Sequence, residues 1–126
     1  MGKLGKIIVR IFVIDDDADT TNMLSKFLNG MGFETIVTND PMEGLKKIRR
    51  EKFDVILLDI NMPVVTGYGI IEMLSVAGIL QDQNIFVFSG VNLPEIQKKN
   101  ILRKDGVNGF LEKPIDLEKL VNVISN

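Results

Sequence analysis

Five polar residues stand where apolar runs of this chain end, and their side chains could together handle a phosphoryl group. They are Asp15, Asp16, Asp59, Ser89 and Lys113. The preceding runs are typical of β-strands, and the carboxyl ends of parallel strands meet in one crevice outside the sheet. Three carboxylates, a hydroxyl and an ammonium would then share a pocket. Such a set of groups suits a magnesium ion and a phosphoryl group.

The three carboxylates predict a site for a hard cation. Two carboxylates ~4 Å apart repel by about 4 kcal/mol at an effective dielectric constant near 20, so three together need a compensating charge. Oxygen ligands without nitrogen or sulfur favour Mg²⁺. We therefore expect Asp15 and Asp16 to hold Mg²⁺ and the more central Asp59 to attack phosphorus. Lys113 would neutralise one phosphoryl oxygen, and Ser89 would donate a hydrogen bond to another.

The composition restricts the possible chemistry to carboxylates. The 126 residues include no histidine and no cysteine, which excludes Ser-His-Asp and Cys-His catalysis, zinc sites of imidazole or thiolate, and a role as a phosphohistidine donor. A net charge of -2, from 15 basic and 17 acidic residues, gives no electrostatic basis for binding nucleic acid. Neither a membrane span nor a secretory signal is visible, so we expect a soluble, cytoplasmic protein.

Apolar strands alternate with helical periodicities along the whole chain. This alternation predicts an α/β fold, with a doubly wound, flavodoxin-like, five-stranded parallel sheet in the order 2-1-3-4-5 and five helices on its two faces. The expected strands cover residues 11–14, 33–37, 53–58, 85–88 and 109–111. In this order the first and third strands are neighbours, which places Asp59 beside Asp15 and Asp16.

Capping residues and apolar spacing locate the helices. Asp40 should cap the second helix and Asp116 the fifth, because their side chains can accept hydrogen bonds from free backbone amides. The third helix should start near Thr66 and Gly67. Each helix should bury one apolar stripe. The expected stripes are Met23, Leu24, Phe27, Leu28 and Met31; Met42, Leu45 and Ile48; Ile70, Met73, Leu74 and Ala77; Ile96, Ile101 and Leu102, in a helix opened by Asn92; and Leu117, Leu120, Val121 and Ile124.

The amino-terminal residues are expected to differ from the rest. Residues 1–10 should form a partly ordered extension, of which residues 7–9 either lengthen the first strand or stay outside it. Residues 11–126 should form one domain, with no second domain, repeat or low-complexity segment.

Four motifs carry a family resemblance. They are FVIDDD at residues 12–17, LLDINMP at 57–63 with Gly67 after it, FSG at 88–90 and GFLEKP at 109–114. From Arg10 to Ser125 the chain resembles a response-regulator receiver domain of two-component signalling. The resemblance implies a regulatory phosphoacceptor and not an enzyme. Asp59 would accept phosphate from a phosphohistidine on a sensor histidine kinase or histidine phosphotransfer protein, and the backbone carbonyl of Asn61 would join the Mg²⁺ ligands.

The resemblance also implies a conformational switch. Phosphorylation would draw the Ser89 hydroxyl inward, and Phe110 would rotate into the vacated space. The change would reshape a surface formed by the fourth helix, the fifth strand (residues 109–111) and the fifth helix after Asp116, which an output partner reads. This is the α4-β5-α5 surface. Its fourth helix shows many cations and little apolar surface, which leaves a monomer or a weak dimer as the expectation.

Two positions depart from the usual pattern of such domains. Residues 64–66 (VVT) replace a usual methionine and acidic residue, and Gly90 stands where alanine is usual. Neither change touches the expected chemistry. Gly90 would loosen the loop after Ser89 and alter the balance of inactive and active forms.

Two other functions fit part of the pattern. A Mg²⁺-dependent phosphatase of the haloacid-dehalogenase type would use Asp15 as its nucleophile, but it would leave Asp59 without a role. An interaction module of the same fold that is never phosphorylated would not need the intact acidic set. The chain is either a stand-alone regulator or one domain of a longer protein, and the residues name neither its kinase nor its output.

Overall fold

The structure, a computed structural model, describes residues 8–90 and 92–125. In this part of the chain, five strands alternate with five α-helices. The strands are β1 (Arg10–Ile14), β2 (Glu34–Thr38), β3 (Val55–Asp59), β4 (Ile85–Ser89) and β5 (Val107–Glu112). The helices are α1 (Ala18–Gly30), α2 (Pro41–Arg50), α3 (Gly67–Val76), α4 (Glu95–Leu102) and α5 (Leu117–Ser125), and a short 3₁₀ helix (Leu80–Asp82) precedes β4.

The five strands form one parallel sheet in the order β2-β1-β3-β4-β5. The predicted fold class and strand order are therefore confirmed. Ile14 pairs with Leu58 and Asp59 pairs with Phe88. This register brings the carboxyl ends of β1, β3 and β4 to the same edge of the sheet.

Both faces of the sheet are covered by helices. Successive side chains of a strand point to opposite faces, and in β1 Phe12 and Ile14 belong to one buried cluster while Ile11 and Val13 belong to another. The first cluster includes residues of α2, α3 and α4, and the second includes residues of α1 and α5. Burial of these apolar side chains supplies the main favourable term in folding.

Two of the three predicted helix caps are present. The carboxylate of Asp40 accepts from the amide of Met42, and the carboxylate of Asp116 accepts from that of Lys119. The third helix starts at Gly67 as expected, and the Thr66 hydroxyl, which was not predicted as a cap, accepts from the amide of Gly69. The third cap prediction is wrong: α4 begins after Pro94 without a side-chain cap. Asn92 lies too far before the first turn to serve it.

Several residues predicted to be in the core lie at the surface. Each helix contacts the sheet along a narrow stripe, so apolar residues one position to either side face solvent. Ile71, which was not predicted, is buried beside Ile70 and Leu74. The exposed residues are Met23, Met31, Met42, Met73, Ala77, Ile96 and Leu102.

The predicted amino-terminal extension falls largely outside the described residues, which begin at residue 8. Arg10 belongs to β1, and its guanidinium forms ion pairs with Glu34 at 2.6 Å and with Glu51 at 3.0 Å. Val9 packs against the cluster under α1 and α5. Among the described helices, none has both the length and the apolar character needed to cross a lipid bilayer.

Candidate functional site

Three carboxylates converge at the carboxyl edge of the sheet. Asp15 directly follows β1, Asp16 comes next, and Asp59 ends β3. One oxygen from each lies within 4.8 Å of the other two. Asp15 and Asp59 are 0% and 2% exposed, whereas Asp16 faces solvent. The acidic residues predicted from the sequence thus form one cluster. Its Asp15 and Asp59 side chains are buried, and solvent reaches it at Asp16.

Lys113 provides the opposing charge. It follows β5, and its backbone amide donates to the carbonyl of Ser89 at 2.8 Å. Its ammonium lies 2.9 Å from Oδ2 of Asp15 and 3.3 Å from Oδ2 of Asp59. The contact with Asp15 is an ion pair without the alignment of a hydrogen bond, since this buried oxygen has no hydrogen-bond partner. One cation therefore bridges the two buried carboxylates.

The surroundings shift the pKa values of Asp59 and Lys113. Burial raises the pKa of Asp59 to about 6, and the charge of Asp15 acts in the same direction, while the Asn61 amide and the Lys113 ammonium oppose it. Burial acts to lower the pKa of Lys113, but the close carboxylates of Asp15 and Asp59 outweigh this and raise it. The lysine is therefore charged at neutral pH.

Ser89 and Asn61 complete the wall of the site beside Asp59. Ser89 ends β4 and is buried. Its Oγ accepts a hydrogen bond of 2.6 Å from the side-chain amide of Asn61. The backbone amide of Asn61 donates to Oδ1 of Asp59 at 3.0 Å. Asn61 thus orients both the Asp59 carboxylate and the Ser89 hydroxyl, and the predicted role of the Asn61 carbonyl as a metal ligand stays a prediction.

Phe110 lies apart from the carboxylates, on the side of the sheet covered by α4. It pairs with Val87 in β4 and packs, partly buried, against the cluster under α2, α3 and α4. The ammonium of Lys98 lies 5.0 Å from the centre of its ring. The strand that carries Phe110 thus runs next to the strand that ends at Ser89. Its rotation on phosphorylation stays a prediction.

Two site residues were missed from the sequence. The side-chain amide of Asn39 donates to the carbonyl of Asp15 at 2.8 Å and to the hydroxyl of the buried Thr21 at 2.9 Å. These bonds tie the loop that carries the acidic pair to the end of β2. Asn39 follows a strand end as the predicted residues do, and that position is the signal that could have identified it.

The beginning of α3 packs closely on the end of β3. The amide of Gly67 donates to the carbonyl of Ile60 at 3.1 Å. A Cβ at this position would lie 2.5 Å from the carbonyl oxygen of Asp59 and 2.7 Å from the Cα of Ile60. Only glycine fits there, because both of these neighbours are backbone atoms.

The donor set fits a hard divalent cation. It consists of three carboxylates without nitrogen or sulfur, and one of its buried oxygens, Oδ2 of Asp15, lacks a hydrogen bond. Mg²⁺ is commonly bound by one or two carboxylates together with water and phosphate oxygens. The exposed Asp16 leaves one side of the cluster open to such ligands.

Comparison with known proteins shows similarity over nearly the whole chain. The family model of the response regulator receiver domain matches residues 11–125. The two-component response regulator ARR10 of Arabidopsis thaliana is 26% identical over 117 residues, which are 91% of this chain and 20% of that protein. The transcriptional regulatory protein PrrA of Mycobacterium bovis is 31% identical over 112 residues, covering 89% of this chain and 46% of PrrA.

A solved structure gives the same result. The chemotaxis protein CheY4 of Vibrio cholerae superposes with a TM-score of 0.81 at 28% identity, covering 94% of this chain and 98% of CheY4. The chain spans only 17% to 54% of the length of several curated relatives. With the family model covering nearly the whole chain, the protein belongs to the response regulator receiver domain family of two-component signalling.

Proposed function

We propose that this receiver domain accepts a phosphoryl group on Asp59 in the presence of Mg²⁺ and transmits the change through its α4-β5-α5 surface. The observation that supports this most strongly is the convergence of three carboxylates, of which Asp59 is central, with the ammonium of Lys113 within 3.3 Å. In this proposal the protein is a regulatory phosphoacceptor and does not turn over a substrate. Its partners are a histidine kinase or histidine phosphotransfer protein and an output protein.

The transfer would be a displacement at phosphorus. A carboxylate oxygen of Asp59 forms a bond to phosphorus as the P–N bond of the donor phosphohistidine breaks, and the bonding electron pair leaves with the imidazole nitrogen. Bound Mg²⁺ would supply positive charge for the carboxylates and the incoming phosphoryl oxygens. Lys113 would release its contact with Asp59 to bind a phosphoryl oxygen.

Ser89 would bind a second phosphoryl oxygen. Its hydroxyl ends β4 beside Asp59, where the Asn61 amide holds it, and a hydroxyl can donate a hydrogen bond while it accepts another. Movement of this hydroxyl would open space next to β5, into which Phe110 turns. The Asp59 acyl phosphate would thereby change the surface of α4, β5 and α5.

The phosphatase alternative is disfavoured because it leaves Asp59 without a role. Asp15 is fully buried, its Oδ1 accepts from the Asp17 amide at 2.9 Å, and its Oδ2 is paired with Lys113. Asp59 is enclosed in a similar way, so burial does not separate the two carboxylates. The acetyl phosphate experiment on the two variants does.

Phosphorylation by acetyl phosphate with Mg²⁺, followed by intact-mass spectrometry, tests the proposal. The wild-type protein should gain one phosphoryl group, and Asp59→Asn should gain none. Asp82→Asn, which changes an exposed acid of the 3₁₀ helix, should react as the wild type does. Phosphorylation of Asp59→Asn at the wild-type level, or its loss only in Asp15→Asn, would contradict the assignment. Absence of Mg²⁺-dependent beryllofluoride binding by the wild type would instead favour the interaction module.

A further inference from the structure

The surface between α2 and α3 carries an apolar groove that the proposed signalling function does not use. The groove has a volume of about 380 Å³ and is lined by Leu45, Arg49, Glu72, Met73, Val76 and Ala77. Val76 is 80% exposed, and Met73 is also largely open to solvent. The groove therefore presents apolar side chains that the domain's own core leaves uncovered.

The residues that line both walls follow helical spacing. Leu45 and Arg49 lie one turn apart on α2, and Met73 and Val76 lie one turn apart on α3. Met73 fits a core stripe by sequence pattern, yet it is exposed in this groove. Methionine side chains adapt their shape to a partner surface. The two walls together form a continuous surface on which another protein could pack.

The charges on the two walls are opposite. Arg49 stands on α2 and Glu72 on α3, and among the described residues neither takes part in an ion pair. A two-fold axis places each wall of one copy against the opposite wall of another, so that Arg49 meets Glu72 of the other copy twice. A helix of another protein that carried charge of only one sign would be attracted to one wall and repelled by the other. The surface is thus complementary to itself.

We propose that the groove between α2 and α3 is a self-association surface, in which Val76 and Met73 of one copy pack against the α2 wall of a second copy and Arg49 pairs with Glu72 across the two-fold axis. This surface is separate from α4-β5-α5 and from the edge that carries Asp59. Each helix has 10 residues and is therefore ~15 Å long. A contact of this size falls below the ~800 Å² per partner of stable complexes, which makes the dimer concentration-dependent.

Analytical ultracentrifugation of the full chain over a wide concentration range tests this. The wild-type protein should sediment faster as its concentration increases, and Val76→Glu should raise the dimer dissociation constant at least about tenfold, since it places charges within an apolar contact. Ile96→Glu is the matched control, because Ile96 is 70% exposed on α4, and it should associate as the wild type does. Both variants should keep the wild-type circular dichroism, since neither side chain is buried.

Exchange of the two charges gives a second, independent test. Arg49→Glu and Glu72→Arg should each weaken association, because each places like charges across the axis, and the double variant should restore it. Wild-type protein that stays monomeric at every concentration would overturn the proposal. So would a dimer that survives Val76→Glu or is lost in Ile96→Glu, or a double variant that associates no better than the single ones.

Discussion

At the scale of single residues, Asp59 combines deep burial with a negative neighbour, and this combination makes its carboxylate charge unfavourable in the folded protein. Its pKa is raised to about 6, first by burial and then by Asp15. The carboxyl therefore binds its proton more tightly in the folded than in the unfolded chain. The stability that it contributes is fully present below the unfolded-state pKa and is lost as the pH rises through about 6.

Asp59→Asn should accordingly stabilise the metal-free protein above pH ~6, because it removes a buried charge. The free energy of unfolding should increase by roughly 1–3 kcal/mol at neutral pH, and the difference should vanish below pH ~4. Urea denaturation in the presence of a chelator, at a series of pH values, measures this. The control is Asp82→Asn, in which the exchanged acid is exposed. Equal stability of Asp59→Asn and the wild type at neutral pH would contradict the raised pKa.

Val64 is a second residue held in an unfavourable state. Its φ is 68°, the left-handed region, and its side chain is fully exposed. This conformation costs roughly 1–2 kcal/mol for an L-residue, whereas asparagine tolerates it. Val64→Asn should therefore raise the free energy of unfolding by about 1 kcal/mol, since no packing is lost.

Thermal or urea denaturation measures the effect of Val64→Asn. A matched control is Ile96→Asn. Ile96 is also an exposed β-branched residue, but it lies in α4, where the backbone is helical. That change should leave stability nearly unaltered. If Val64→Asn proves destabilising, the left-handed backbone at this position imposes no strain.

At the scale of elements, the close approach of α3 to β3 depends on Gly67, which has no side chain. Gly67→Ala would place a Cβ 2.5 Å from the Asp59 carbonyl oxygen, so the helix would have to move away from the acceptor strand. We expect a loss of at least about 2 kcal/mol in the free energy of unfolding. Phosphorylation by acetyl phosphate should slow as well, because the Asp59 backbone shifts.

Gly69→Ala is the matched control for this prediction. It lies two residues further along α3, and its nearest neighbours would be 3.7 Å and 3.8 Å from the new Cβ. Alanine is the better helix former by roughly 0.5–1 kcal/mol, so this variant should gain stability. Gly67→Ala as stable as Gly69→Ala would show that the close contact is not limiting.

The elements themselves could largely be predicted, because apolar runs and capping residues are local signals. The parallel order and the meeting of Asp15 with Asp59 followed from the alternation of strands and helices. The sides of the helices were harder to predict. Ile96 follows the helical spacing of a core residue but is exposed on α4, since the direction in which a helix faces depends on its neighbours and not on its own pattern.

The hydrogen-bonded supports of the site could not be predicted for a related reason. Asn39 reaches the Asp15 carbonyl across 24 positions of the chain, and a single polar residue in a loop carries no periodic signal. The bond between Asn61 and Ser89 likewise joins two strand ends. Such contacts depend on the distance between elements, which only the folded chain defines.

At the scale of the whole molecule, the parallel sheet brings the acidic cluster, Ser89 and Lys113 to one edge, and helices cover its two faces. The acidic cluster joins the ends of β1 and β3 at the centre of the sheet. α4 and β5 lie to one side of this centre, and α2 lies to the other. In the proposed function, a charge change at the centre would therefore reach the α4-β5-α5 surface over a short distance.

The repulsion among the three carboxylates also couples cation binding to the stability of the entire domain. If Mg²⁺ binds the folded state alone, a concentration about 100 times its dissociation constant adds ~2.7 kcal/mol to the free energy of unfolding. For a domain of this size, that gain corresponds to an increase in Tm of the order of 10 °C.

Asp16→Asn should reduce this increase in Tm without destabilising the metal-free protein, because Asp16 is exposed and contributes to the repulsion. Differential scanning calorimetry with and without Mg²⁺ measures both effects, with Asp82→Asn as the control. An unchanged Tm in millimolar Mg²⁺ would mean that the cluster tolerates its own charge without a cation, and the proposed phosphoryl transfer would lose its electrostatic basis.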